Sequence, residues 1–227
     1  MIDNKQQVVD FIEEVKSALT SFPTMEKVLH GSVTRWNADK GDYELRVENL
    51  GLTPGNVVFD VGSYTGDWAN RMFVRYPGIK IVAFEPVEKY CEEFVDTNKG
   101  YDYELHRIGL SNESKELSIE DTGLSTSLES DGNLIVQIED IRDHVKNFDK
   151  IDIMKMNIEG SEYECIEALI ESGLINRVKS LVVQFHGTEK EVADSVSKWA
   201  NIAVKISGTH NLEWSYPFIW ERWTLRI

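Results

Sequence analysis

The chain has 227 residues, enough for one large domain or two small ones, and a core of that size needs neither disulfides nor metals. Apolar residues make up 41 % and charged residues 28 %, a globular profile that excludes disorder of the chain as a whole. The formal charge of −15 leaves no cationic footprint for a phosphate backbone or an anionic lipid surface, so neither nucleic acid nor membrane is an expected partner.

Cys91 and Cys165 lie far apart, with neither CxxC nor metal spacing, and read as buried free thiols. Met1-Ile2-Asp3-Asn4-Lys5 lacks a basic segment leading into an apolar one, and no apolar run approaches the roughly 20 residues that cross a bilayer. A soluble, cytoplasmic protein is the expectation.

Val8, Phe11, Ile12, Val15, Ala18, Leu19 and Phe22 form one helical stripe that Pro23 ends. This helix is free to cap the core, cover a pocket or meet another subunit of a homo-oligomer. His30 to Tyr43 reads as a connection. Residues 1–50 are therefore taken as an N-terminal helical extension and 51–227 as one domain.

From Leu52 strands and helices alternate. Val57 to Val61 is a short apolar strand, followed by a helix through Ala69, Met72 and Phe73. Ile79 to Phe84 is a second strand, and Val87, Tyr90, Cys91 and Phe94 mark the next helix. Tyr103 to Leu110 reads as a third strand. Leu117 to Ile119 and Leu134 to Ile138 alternate like edge strands around a polar loop, Asp121 to Asn133. Ile151 to Met156 and Val178 to Phe185 are buried strands flanking a helix through Tyr163, Ile166 and Leu169. Thr188 and Glu191 suggest a capping box before Val192, Val196 and Trp199. Ile202 to Ile206 and Phe218 to Ile227 read as the last two strands, free to pair antiparallel because no helix intervenes. The sum is an α/β fold with a mostly parallel sheet covered by helices on both faces.

The densest signal is Asp60-Val61-Gly62-Ser63-Tyr64-Thr65-Gly66, between the first strand and its helix, where open α/β sheets bind ligands. Gly62 and Gly66 allow a tight turn and close backbone approach. Glu85 ends the second strand nineteen residues after Gly66, about where nucleotide sites place a ribose-binding acid. Pro86 behind it offers a flat apolar surface to an adenine ring. Ser63-Tyr64 stands where a dinucleotide loop carries its second glycine, and Asp60 is an awkward neighbour for a diphosphate. The cationic nucleoside S-adenosylmethionine (SAM) suits an acidic strand end better. An NAD-dependent oxidoreductase is the rival reading, and a SAM-binding module without catalysis is another. A solvated glycine turn is the bland alternative.

Val58 to Gly66, Ala83-Phe84-Glu85-Pro86 and Ile151 to Glu162, with its Lys-x-x-x-Glu-Gly-x-Glu block, together resemble the FkbM-type SAM-dependent methyltransferases. Val183-Gln184-Phe185-His186 resembles the end of that family's next strand. The resemblance covers about Val57 to His186. It implies the Rossmann-like class I methyltransferase fold, a seven-stranded sheet whose last strand is antiparallel, and methyl transfer to a hydroxyl of a carbohydrate or small metabolite. Three departures stand out: the Gly-Ser-Tyr-Thr-Gly loop, Asn157 where an Asp is usual, and Gln184 where a Glu is common.

On this reading Asp60, Gly62, Ser63, Tyr64, Gly66, Glu85 and Pro86 form the cofactor side, with Ile108 and Gly109 passing the adenine edge. His186, Asn157 and Glu159 form the reaction side. His186 is the first candidate for a base, since an imidazole suits proton abstraction at neutral pH; a capping or substrate-binding role is the alternative. Glu159 orients hydroxyls or serves as base, and Glu162 does the same or simply complements a helix N-terminus. Lys155, inside a buried strand, is expected to pair a carboxylate. Ser125-Thr126-Ser127 is a polar loop that could line the acceptor side. Asn157, Glu159 and His186 are a poor oxygen set for Mg²⁺, so no metal is expected.

Overall fold

The computed structural model describes residues 5–121, 126–127, 134–187 and 192–226. Helix α1, Lys5–Leu19, is followed by α2, Met25–Ala38, and a short turn of helix α3, Gly41–Glu44. The stretch read as a connection is thus helical. Thr24 caps α2 by accepting from Lys27 N, and Met25, Val28, Ser32 and Trp36 form its buried stripe.

Strand β1, Val57–Val61, helix α4, Asp67–Arg75, strand β2, Lys80–Phe84, helix α5, Glu88–Thr97, and strand β3, Tyr103–His106, follow as the alternation predicts. The expected third strand is shorter than read. The chain leaves the sheet after His106, and Gly109–Ser111 (β4) joins a second sheet with β5, Lys115–Asp121, β6, Thr126–Ser127, and β7, Leu134–Asp140. Of the polar loop expected between Asp121 and Asn133, Thr126 and Ser127 pair with β5; the rest, Ser125 included, lies outside the described residues. Helix α6, Ile141–Val145, strand β8, Ile153–Met156, helix α7, Glu162–Glu171, and strand β9, Ser180–Val183, lead to helix α8, Val192–Ile206. The proposed capping box of Thr188 and Glu191 also lies outside the described residues.

Ile202 to Ile206 is not a strand but the last turn of α8. Val196, Trp199, Ala200, Ala203 and Ile206 stay on one buried helical face, so the apolar run is the end of a stripe. The two closing strands are β10, His210–Tyr216, and β11, Trp220–Leu225.

The main sheet has seven strands in the order β10-β11-β9-β8-β1-β2-β3. β1, β2, β3, β8 and β9 pair in parallel, whereas β11 runs antiparallel to both β9 and β10. Alternate residues feed the two faces. Phe59, Val61, Val82, Phe84, Met154 and Met156 pack into one core with α1, α7 and α8, while Val58, Ile81, Ala83 and Ile153 pack into another with α4 and Trp36. Strand order reverses at β1, which has β2 on one side and β8 on the other, so a crevice opens there beyond the strand ends.

The first fifty residues share both cores. Val8 and Ile12 are fully buried, α1 lies on α8, Trp36 packs against Trp214 and Tyr216, and Tyr76 Oη donates to Val47 O at 2.8 Å. Ile12→Ala should therefore lower the unfolding free energy by about 2–5 kcal/mol in urea titrations, the usual result of leaving a cavity in a closed core. A loss near zero would mean that α1 is only draped over the surface.

Candidate functional site

The β1/β8 register sets Asp60 directly beside Lys155, on the same face of the sheet. Both are buried. Lys155 Nζ donates to Asp60 Oδ1 at 2.9 Å and to Gly62 O at 2.6 Å. Burial raises the Asp60 pKa and lowers that of Lys155, and each charge opposes the shift of the other. The pair therefore stays together because neither charge is tolerable alone. Asp60 lies beneath the crevice and bears on it through Lys155.

Above the pair the chain turns sharply. Gly62 has φ +77°, and a Cβ there would stand 1.9 Å from Asn157 O, so only glycine lets the β1 loop touch the β8 loop. Tyr64, at φ 49°, also takes the left-handed region. Its ring rests on Tyr90, with centroids 4.2 Å apart. Gly66 caps α4 in the left-handed conformation and packs against Phe94 and Asn98, so it shapes the loop from behind.

Glu85 is 6 % exposed and closes the loop from β2. Its carboxylate accepts from Tyr64 N at 3.0 Å and Val87 N at 2.9 Å. Burial pushes its pKa up to about 7, against the pull of those two N–H groups. The folded protein thus keeps this proton well above the ordinary 4.5, and the stabilising contribution of Glu85 falls as pH rises from there towards 7.

Two clefts meet at Gly62, Glu85, Asn157 and Glu159. The first is apolar, walled by Phe84 and Pro86 at the tip of β2 and by Gly109, Leu110, Ile119, Val136 and Ile138 from the second sheet. The second is polar, with Ser63, Tyr64, Lys155 and Arg46 on its walls. Ile108 packs against the main core, and it is Gly109 that borders the apolar cleft.

On the far side of the crevice, Glu159 (φ 53°) and Gly160 (φ 110°) form a left-handed turn before α7. Glu162 is fully buried and holds this turn by accepting from Ile158 N and Gly160 N, both at 2.9 Å. It also lies 2.7 Å from His186 Nδ1. A carboxylate that accepts two backbone N–H groups is an acceptor only, so Nδ1 carries the proton and donates to it. His186 Nε2 faces Glu159 Oε2 at 3.5 Å. Burial pulls the His186 pKa down, but the hydrogen bond and charge of Glu162, with the charge of Glu159, raise it overall. Burial raises that of Glu159, against the His186 charge. His186 thus stands beside the cleft and meets it through Glu159.

Residues 60–208 match the Methyltransferase FkbM domain, and the chain belongs to this family of SAM-dependent methyltransferases. Among solved structures, a Clostridium thermocellum protein described as an rRNA-methylase is similar at 11 % identity, with 84 % of this chain and 95 % of that one covered and a TM-score of 0.53. The precorrin-6y C5,15-methyltransferase of Geobacter metallireducens is similar at 13 % identity, with 81 % and 86 % covered and a TM-score of 0.48. No curated protein sequence matches significantly. The protein has the Rossmann-like class I methyltransferase fold, and its methyl donor is S-adenosylmethionine.

Sequence reasoning placed the glycine loop and Glu85 but missed Arg46, the second-sheet wall and the hold of Glu162 on His186. The Asp42 and Arg46 spacing of four residues was the readable trace of Arg46, whose Nη1 lies 2.9 Å from Asp42 Oδ1. The Lys155–Asp60 pair yields a direct test. Lys155→Met should cost about 3–5 kcal/mol by stranding a buried carboxylate, and adding Asp60→Asn should recover most of it in equilibrium unfolding. Additive losses would show that the two groups do not act as a pair.

Proposed function

We propose that the protein transfers a methyl group to a hydroxyl of a carbohydrate or small hydroxylated metabolite, with His186 as the base. The observation that carries this reading is the Glu162–His186 hydrogen bond at the tips of β8 and β9, beside the donor cleft. The residues present fit the donor. The apolar cleft suits an adenine ring between Pro86 and the second sheet, and Glu85 sits at its inner end as an acceptor for ribose hydroxyls. When bound, SAM supplies an electrophilic methyl on a cationic sulfur.

Glu162 fixes the His186 tautomer and leaves Nε2 to accept the hydroxyl proton as the oxygen attacks. Glu159, next to Nε2, orients the acceptor through its own hydroxyls. Asn157 and Gln184 put neutral amides where acids are common in the family, so the proton falls to the imidazole. A charge of −15 favours a neutral, compact acceptor over a polyanion.

His186→Gln should lower kcat by about a hundredfold or more and leave S-adenosylhomocysteine affinity nearly unchanged in calorimetry. Retained turnover with a glycan or polyol acceptor would remove His186 as base. In the wild type, kcat should rise with pH through a value above the ordinary 6.5 of His, as the imidazole loses its proton. Glu162→Gln should move that rise to lower pH, because the raising partner is gone. Binding of S-adenosylhomocysteine should tighten between about pH 6 and about pH 8, as Glu85 ionises and can accept from both ribose hydroxyls. Glu85→Gln should weaken binding and flatten this dependence; a flat wild-type profile would place the ribose elsewhere.

A further inference from the structure

Two of the polar groups on the walls of the polar cleft offer a proton and lack a taker. Arg46 Nε is buried without an acceptor among the described residues, and so is the Ser63 hydroxyl. The Asn157 amide oxygen is buried without a donor. All three residues border the one cleft, together with Lys155. Leaving such groups unsatisfied costs free energy that a matching ligand returns on binding.

The polarity of the set is specific. Two orphan donors call for acceptor oxygens and one orphan acceptor calls for an N–H, and because Lys155 is already paired with Asp60 while Asp67, Glu85 and Glu159 share the walls, the fitting ligand carries a cation beside its anion. An α-amino acid head carries both, a carboxylate and an ammonium on one carbon. Arg46 is built to hold the first. Its guanidinium carbon sits 3.9 Å from the Trp220 ring centroid, and Nη1 is tethered to Asp42 at 2.9 Å. The side chain is 14 % exposed, so its fork is fixed before a ligand arrives. Trp220 opens β11, and Arg46 lies ahead of β1, outside residues 60–208. Segments before and after the matched region thus meet at this one side chain beside the cleft.

We propose that Arg46, with Ser63, is the recognition site for the carboxylate of the donor's amino-acid end, and that Asn157 receives its ammonium. The proposal rests on SAM occupying the two clefts as described above. Arg46 then selects donors and products that keep the aminocarboxypropyl tail over nucleosides that lack it.

The test compares two ligands by calorimetry on the full chain: S-adenosylhomocysteine, which has the tail, and methylthioadenosine, which does not. Arg46→Met should weaken S-adenosylhomocysteine about tenfold to a hundredfold and leave methylthioadenosine within about twofold. Arg46→Lys keeps a charge over Trp220 without the Nε–H and should lose severalfold for the tailed ligand alone. Ser63→Ala, away from the Trp220 contact, should show the same selective loss at smaller size. Unchanged methylthioadenosine binding certifies that each variant is folded. Equal losses for both ligands, or none for either, would overturn the role of Arg46. Failure of the wild type to bind either ligand would instead overturn the placement of the donor.

Discussion

A buried cation joins the two strands between which the crevice opens. Lys155 Nζ bonds to Asp60 Oδ1 and Gly62 O, so it ties β8 to β1 and at the same time pins the first carbonyl of the glycine loop. Strands can hold each other by backbone hydrogen bonds alone, but those end where the sheet ends. Beyond that edge the loops need another restraint. Asp60 supplies the charge that makes a fully buried lysine tolerable, and the lysine spends one proton on the loop carbonyl. The cost is the desolvation of two ions, which explains why their preferred protonation states are pushed in opposite directions. Gly62 and Asn157 then meet more closely than any Cβ allows, and the two loops form one continuous floor to the site.

A similar device recurs across the crevice. Glu162 is the buried carboxyl group there, and its partners are two backbone N–H groups and an imidazole. It shapes the β8–α7 turn as Lys155 shapes the β1–α4 loop. Both groups sit in the Lys-x-x-x-Glu-Gly-x-Glu stretch, seven residues apart. That block is thus less a set of catalytic groups than a pair of internal ties. Glu159, between them, is left to face the cleft.

The parts of the fold that were legible in the sequence are those where burial on both faces writes a continuous apolar run. β1, β2, β8 and β9 have this form, and so does the loop after β1, because a glycine turn at a strand end has few other uses. The misread parts share a different cause. Ile202 to Ile206 is five residues of mixed apolar character, too short for its period to declare itself without the stripe from Val196 onward. β10, His210–Tyr216, alternates with polar residues because it lies at the sheet edge, and its signal was weak. α2 carries Ser32 on its buried stripe, which breaks the pattern that the eye follows. In the site, Glu85 was legible from strand-end position, whereas the wall of Ile119, Val136 and Ile138 was not. Those residues come from a second sheet whose docking no local pattern records.

That second sheet gives the apolar cleft a depth that the main sheet alone does not supply. Parallel strands end level with one another, so their tips alone give a shallow trough. β4 follows β3 by only two residues and carries Gly109 beside Pro86. A Cβ on Gly109 would stand 2.6 Å from Ile138 Cδ1, so glycine is what lets β7 close on the trough. The apolar side chains of β5 and β7 raise one wall, the β2 tip provides the other, and Glu85 lies between them. Burial on both sides is also what lifts the pKa of Glu85 to about 7, so depth and pH sensitivity have one cause. A site with a lower wall would keep its carboxylate ionised at all neutral pH values, but would surrender the exclusion of water that a methyl transfer needs.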